Sequence, residues 1–230
     1  MRKYTTLLLD IDETILDFKK AETISLKNTL IRAGITPTDE ITARYHAIND
    51  SLWKALERGE IEKEQIKTKR FELFYDEFGF DGDPVETAGI YVYELTRSGF
   101  LLDGAREFLE AIQKEYEVFA VTNGIQCVQQ GRFNAADINK YFKDVFISER
   151  VGYSKPDKRY FDYVLSVIAE KDIRKVIVIG DSLTSDIKGA HNAGLDSCWF
   201  NPDKKTCNQE FSPTYTAYGY ADILDIIENG

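Results

Sequence analysis

Four short polar clusters, far apart in the chain, adjoin apolar runs or helical patterns. Asp10-Ile11-Asp12-Glu13-Thr14 ends the run Thr5 to Asp10 (TTLLLD), and Thr122-Asn123-Gly124 ends Val118 to Thr122 (VFAVT). Gly180-Asp181-Ser182, with Asp186 further on, ends Val176 to Gly180 (VIVIG), while Ser154-Lys155-Pro156-Asp157 precedes a helical pattern. Gathered at one point, they supply the carboxylates of Asp10, Asp12, Asp181 and Asp186, the Thr122 hydroxyl and the Lys155 ammonium. Carboxylates so crowded repel, and a hard cation resolves the repulsion. Mg²⁺ suits such a set because it binds a few carboxylates together with waters and substrate phosphate. Asp10 and Asp12 are two apart, so in extended backbone they point the same way. One can then attack while the other handles a proton, and a carboxylate nucleophile can carry a covalent phosphoryl group. Proline is favoured at the first helical position. Lys155 is therefore expected just before a helix start, with its ammonium and the positive helix end facing the same anion.

Each cluster alone has a plain structural reading. Asp-x-Asp-x-Thr occurs in loops and caps. Thr122 could cap a helix, Asp186 could favour a helix N-terminus, and Lys155 could simply be solvated. Their order, each at a strand end or helix start, is what points to a reaction site.

Those positions must be supplied by strands. The apolar runs named above, with Val145 to Ser148 and Ser197 to Phe200, lack polar alternation and so suit parallel strands covered on both faces. Helical patterns lie between them: Ala105 to Tyr116, Lys158 to Glu170, Ser185 to Asn192 and Ala221 to Glu228. Alternating strand and helix indicates an α/β fold with an open sheet and right-handed crossovers. In such sheets ligands bind at the carboxyl ends of the strands. From about Phe18 to Ser98 the alternation stops. Ile41 to Leu56 and Ile61 to Phe78 are long and amphipathic, Asp81-Gly82-Asp83-Pro84 punctuates them, and no strand is evident. This block reads as a helical insertion forming its own small domain, residues 18–98, within a core made of 1–17 and 99–230.

Composition narrows the class. The chain has 230 residues, 43% hydrophobic and 30% charged, as expected of a globular protein and not of a disordered one. Its 29 basic and 39 acidic residues give a net charge of −10 with no basic tract, so the footprint of a nucleic-acid binder is missing. An anionic substrate therefore needs a local cation. The first apolar run is too short for a signal-peptide core, and no segment has the length of a membrane span. Cys127, Cys198 and Cys207 lack disulfide or zinc spacing, which fits a cytoplasmic location. Cys198 reads as core. His46 and His191 share no motif and read as packing or surface residues. Phe71, Phe74, Tyr75 and Phe78 have helical spacing and read as core of the insertion.

The four clusters, in this order, resemble the motifs of the haloacid dehalogenase (HAD) superfamily, and the match spans essentially the whole chain. The resemblance implies a Rossmann-like parallel sheet with a helical type-one cap inserted after the first strand. It implies that Asp10 attacks phosphorus, and that Asp12 protonates the leaving oxygen and then activates water against the aspartyl-phosphate. Thr122 and Lys155 would hold phosphoryl oxygens. Mg²⁺ would be held by the Asp10 side chain, the Asp12 main-chain carbonyl and Asp181, with Asp186 as ligand or neighbour. Dehalogenases of the superfamily lack an acid at the position of Asp12, because a halide needs no proton, so Asp12 favours phosphate chemistry. Ile48-Asn49-Asp50-Ser51-Leu52-Trp53, Lys69-Arg70-Phe71-Glu72, Ile147 to Gly152 and Asn192 to Trp199 are similar to pyrimidine 5′-nucleotidases of the YjjG type, which act on pyrimidine nucleoside monophosphates. On that resemblance Phe18 and Trp53 are candidate stacking residues, and Arg70 and Asn123 candidate polar contacts. Two alternatives remain. One is a phosphatase or phosphomutase for sugar phosphates or other small metabolites. The other is a phospho-accepting regulator without turnover. A monomer or a homodimer is expected.

Overall fold

The computed structural model describes residues 3–230, so the first two residues of the 1–17 segment lie outside the described residues. β1 (Thr6–Leu9) carries no charge and buries every side chain. That suits a central strand, and it lies between β2 (Glu117–Thr122) and β4 (Val176–Gly180). With β3 (Asp144–Ile147), β5 (Asp196–Phe200) and β6 (Tyr215–Ala217) it forms one six-stranded sheet in the order β3-β2-β1-β4-β5-β6. All pairs are parallel, as the unbroken apolar runs require. β6 is the strand that periodicity misses: three residues at a sheet edge, two of them only half-buried, leave almost no pattern.

Neighbouring residues of β1 face opposite cores. Leu7 and Leu9 pack with Ile177 and Ile179 against α5 (Ala105–Ile112), α6 (Gln126–Ala136) and α10 (Tyr220–Asn229). Leu8 packs with Val176 and Val178 against α8 (Lys158–Val167) and α9 (Lys188–Ala193). A short α7 (Ser148–Val151) follows β3. The register pairs Leu9 with Ala120 on one side and with Ile179 on the other. Asp10, the next residue, thus emerges level with the ends of both neighbours, its N–H bonded to Ile179 O at 2.8 Å. The chain leaves β1 toward β2 and returns on its other side as β4, so β1 marks the switch in strand order where a crevice opens.

Between β1 and α5 lie α1 (Phe18–Arg32), α2 (Asp39–Glu57), α3 (Lys63–Phe78) and α4 (Pro84–Thr96). Their boundaries are written locally. Asp17 and Thr38 cap α1 and α2, and Glu62 with Gln65 forms a capping box on α3. Asp83 caps α4 with Pro84 in its first turn. Of the aromatic group, Phe71, Phe74 and Tyr75 are core here and Phe78 is only half-buried against it. The rings of Tyr45, Phe71, Phe74 and Tyr91 meet mostly edge-to-face at 5.2–6.4 Å. α4 lies against α6. At that contact a Cβ on Gly131 would come 2.5 Å from Thr96 O, so glycine is what lets the two backbones approach. Among the described residues no helix is long and apolar enough to cross a membrane.

Candidate active site

A cavity of about 220 Å³ lies between the carboxyl ends of β1, β2 and β4 and the helical block. The strand ends supply a polar floor of Asp10, Asp12, Thr122, Asn123, Asp181 and Asp186, with Lys155 beside them. The helical block supplies Phe18, Trp53, Leu56, Arg70 and Leu95. Every residue given a catalytic, substrate or metal role in the sequence analysis therefore borders one space.

Lys155 organises the floor. Its ammonium is buried and donates to Asp10 Oδ1 at 2.7 Å, Asp186 Oδ1 at 2.6 Å and Val121 O at 2.8 Å, which uses all three of its N–H groups. Burial alone would lower its proton affinity, but the carboxylates of Asp10 and Asp186 outweigh burial and hold it above the usual lysine range. The helix after Lys155 begins later than the proline suggests. Asp157, not Lys155, precedes the first turn, and its carboxylate accepts from Arg159 N at 2.9 Å. Lys155 is placed by Asn123 instead. Asn123 Oδ1 accepts from Lys155 N at 2.9 Å, and Asn123 Nδ2 donates to Lys155 O at 2.8 Å. That pairing engages the side chain proposed for substrate contact.

Asp10, Asp181 and Asp186 each offer an oxygen within 4.8 Å of the others. Asp12 is outside this set; its carboxylate turns to Gln129 Nε2 at 2.9 Å and to Arg132 Nη1. Burial, then repulsion from Asp186, pushes the Asp10 carboxyl up to about 7 against the pull of Lys155. Burial, with repulsion from Asp10 and Asp186, pushes Asp181 well above the carboxylate range. One ammonium does not balance three carboxylates, and the cluster fits a hard divalent cation.

Thr122 Oγ1 accepts from Gly124 N at 3.0 Å and from Gln129 Nε2 at 2.7 Å. Both lone pairs are taken, so its hydrogen is free to donate toward an anion. Arg70 is buried, held by Ile66 O at 3.1 Å and Asn49 Oδ1 at 3.1 Å. Asn49 in turn donates to Glu22 Oε1 at 2.7 Å, and His46 Nδ1 meets Glu22 Oε2 at 2.7 Å, so His46 serves this network. Trp53 borders the cavity and also packs on the helical core. Cys198 is buried in the sheet core, and Cys127 is exposed.

Sequence reasoning passed over Gln129 and Arg132, which sit on α6. The apolar spacing of Val128, Phe133 and Ala136 could have revealed that helix, but nothing local says which way its polar side chains reach. It also missed three bonds that tie the helical block to the segments that follow the strands. Thr184 Oγ1 donates to Glu57 Oε2 at 2.9 Å. Lys63 Nζ donates to Asn123 O at 2.6 Å and to Ser148 Oγ. Burial lowers the Lys63 ammonium to about 8 from its ordinary 10.5. Between those values the unfolded chain holds a proton that the folded chain has released, so stability contributed here rises with pH. Wild-type stability relative to Lys63→Met should increase from pH 8 to pH 10.5, by on the order of 3 kcal/mol. Urea unfolding of both proteins at the two pH values checks this, and a constant difference would mean that Lys63 titrates as an exposed lysine does.

The model of the haloacid dehalogenase-like hydrolases matches residues 4–194. The HAD-hydrolase YfnB of Bacillus subtilis is 39% identical over 99% of this chain and 97% of its own. Its crystal structure, bound to magnesium, superposes with a TM-score of 0.93, covering 98% of this chain and 99% of that one. The pyrimidine 5′-nucleotidase PynA of Streptococcus pneumoniae is 37% identical, covering 98% of this chain and 95% of its own. The pyrimidine 5′-nucleotidase YjjG of Escherichia coli is 31% identical, covering 98% of each. The chain is thus an enzyme of the haloacid dehalogenase-like hydrolase family, on the branch similar to these nucleotidases.

Proposed function

We propose that the protein is a magnesium-dependent phosphomonoester hydrolase that works through a phosphorylated Asp10, with pyrimidine nucleoside 5′-monophosphates as substrates. The observation that carries the reading is the buried Asp10 carboxylate, held by Lys155 at 2.7 Å, at one cavity with the Thr122 hydroxyl, whose hydrogen is left to donate, and a second acid, Asp12. An Asp10 oxygen attacks phosphorus, and the bond from phosphorus to the leaving oxygen breaks while Asp12 gives that oxygen a proton. Asp12, now ionised, takes a proton from water, whose oxygen attacks the phosphorus and frees Asp10 with release of phosphate. Thr122 and Lys155 hold the phosphoryl oxygens, positioning and stabilising charge as phosphoryl transfer requires. Asp10, Asp181, Asp186 and the Asp12 main-chain carbonyl would hold Mg²⁺, which supplies positive charge and a template for the phosphoryl group.

Residues 18–98 serve as a cap over a catalytic unit formed by 1–17 and 99–230. The cavity's two halves match a nucleotide: a charged floor for phosphate, and Phe18, Trp53, Leu56 and Leu95 for a flat base. Similarity to the two pyrimidine 5′-nucleotidases supports that choice. Phosphate release, with Mg²⁺ and with chelator, across nucleoside monophosphates and sugar phosphates tests the reading. Metal-dependent release favouring pyrimidine nucleotides supports it. Release from sugar phosphates alone keeps the chemistry and discards the nucleotide, and no release from any of them rejects both.

The cation site makes a second demand. A Cβ at position 180 would lie 2.4 Å from Asp186 Cγ and Oδ2. Gly180→Ala is therefore expected to push Asp186 out of place and weaken Mg²⁺ binding by ~10- to 100-fold, as loss of a supporting contact at a metal site does. Calorimetric Mg²⁺ titration measures it, and unchanged affinity would exclude Asp186 from the site.

A further inference from the structure

Two side chains of α6 hold Asp12. Gln129 Nε2 donates to Asp12 Oδ2 at 2.9 Å, and Arg132 Nη1 donates to Asp12 Oδ1. Residues three apart share a helix face, so one face of α6 engages both carboxylate oxygens. The amide orientation is set by its partners. Gln129 Oε1 accepts from Arg132 Nη1 at 3.2 Å, while Nε2 donates to Asp12 and to Thr122 Oγ1. Reversed, the amide would set its oxygen against the carboxylate. Arg132 is buried, donates from Nε to Ser98 O at 3.3 Å and lies over the Phe18 ring at 5.3 Å. A Cβ at Gly124 would come 2.6 Å from the Gln129 side chain, so glycine there leaves room for the amide.

Asp12 needs such support. It lies past the end of β1, at a single bridge to Leu16 just before the turn at 13–15. Its side chain keeps 29% of its exposure, so unheld it would sample several rotamers in water. We propose that Gln129 and Arg132 are positioning residues that clamp Asp12 in the orientation from which it hands its proton to the leaving oxygen. This rests on reading Asp12 as the general acid. Each carboxylate oxygen has two lone-pair sites, so one donor on each still leaves a place for the transferred proton. Because Gln129 also bonds Thr122, the clamp fixes the proton donor relative to the hydroxyl that holds the phosphoryl group.

Leaving-group chemistry separates this role from a merely structural one. A nucleoside alkoxide needs a proton as it departs, whereas p-nitrophenolate leaves without one. For a mechanism through phosphorylated Asp10, kcat/KM covers only the steps up to that phosphorylation. Asp12→Asn, Gln129→Leu and Arg132→Lys would be assayed with the alkyl phosphate turned over best and with p-nitrophenyl phosphate. Their thermal melts would be recorded alongside, and Gln129→Leu carries the test if Arg132→Lys does not fold. General acid catalysis contributes roughly 10²- to 10⁴-fold. Asp12→Asn should lose ~100-fold or more in kcat/KM on the alkyl phosphate and little on the aryl one. Arg132→Lys should show the same selective loss, ~10- to 100-fold. Gln129→Leu, which also releases Thr122, should lose on both substrates but more by that factor on the alkyl one. Asp12→Asn/Arg132→Lys should be no worse than Asp12→Asn alone. Equal losses on both substrates, or losses that add in the double variant, would overturn the clamp. If Asp12→Asn itself shows no selective loss, the general acid is elsewhere and the clamp falls with it.

Discussion

Asp10→Asn is expected to remove turnover of every phosphomonoester, by at least about 10⁴-fold, while leaving the chain folded. In the proposed mechanism covalent catalysis through this carboxylate has no substitute, because an amide is not a nucleophile toward phosphorus. The asparagine keeps the shape of the side chain, and its carbonyl oxygen can still accept from Lys155. It also removes one negative charge from a cluster in which Asp10, Asp181 and Asp186 already crowd within 4.8 Å. Burial first, and then repulsion from Asp10, raises the Asp181 carboxyl, so loss of the Asp10 charge removes the second of these burdens. The variant should therefore melt no lower than the wild type in the presence of chelator. Phosphate release and thermal melts, read together, check both halves. Residual turnover within about 100-fold of wild type would mean that another group takes the phosphoryl.

Lys155→Met is expected to do the opposite to stability while also removing activity. The ammonium is 2% exposed and bonded to two carboxylates and a main-chain carbonyl. Removing one partner of a buried ion pair leaves uncompensated charge and costs about 3–5 kcal/mol. The carboxylates can escape that cost by taking up protons, so the destabilisation should shrink as the pH is lowered. A divalent cation can take over part of the missing charge, so Mg²⁺ should raise the melting temperature of the variant more than that of the wild type. Denaturant unfolding at pH 7 and pH 5, with chelator and with Mg²⁺, measures these three effects. A variant as stable as wild type under chelator would show that the buried cluster does not depend on Lys155 for its charge balance.

The contrast between the two variants follows from what Lys155 does. From the sequence it is the free cation awaiting an anion in an acidic protein. In the folded molecule all its donors are engaged by Asp10, Asp186 and Val121, and Asn123 sets its backbone. In the proposed reaction an incoming phosphoryl group would compete for this ammonium, which is one reason to expect a second source of positive charge at the cluster.

The sequence by itself determined five of the sheet's six strands, their polar edge and the identity of the acids that gather there. Parallel strands buried on both faces are unbroken apolar runs, and they end where polar residues begin. Asp10, Thr122 and Asp181 each lie at such an end, and in-register parallel pairing then brings them together whatever the connecting helices do. Within the helical block α2 and α3 were legible from their amphipathic periodicity, a local signal, whereas the bounds of α1 and α4 were not. β6 was not, being a three-residue edge strand whose place depends on β5 beside it. Tertiary structure alone decided which polar partners the acids take. Arg132 reaches Asp12 across 120 positions of the chain, and Lys63 reaches Ser148 across 85. The direction of a long polar side chain from a helix is set by the surface packed against that helix, and no periodicity within the helix encodes that surface.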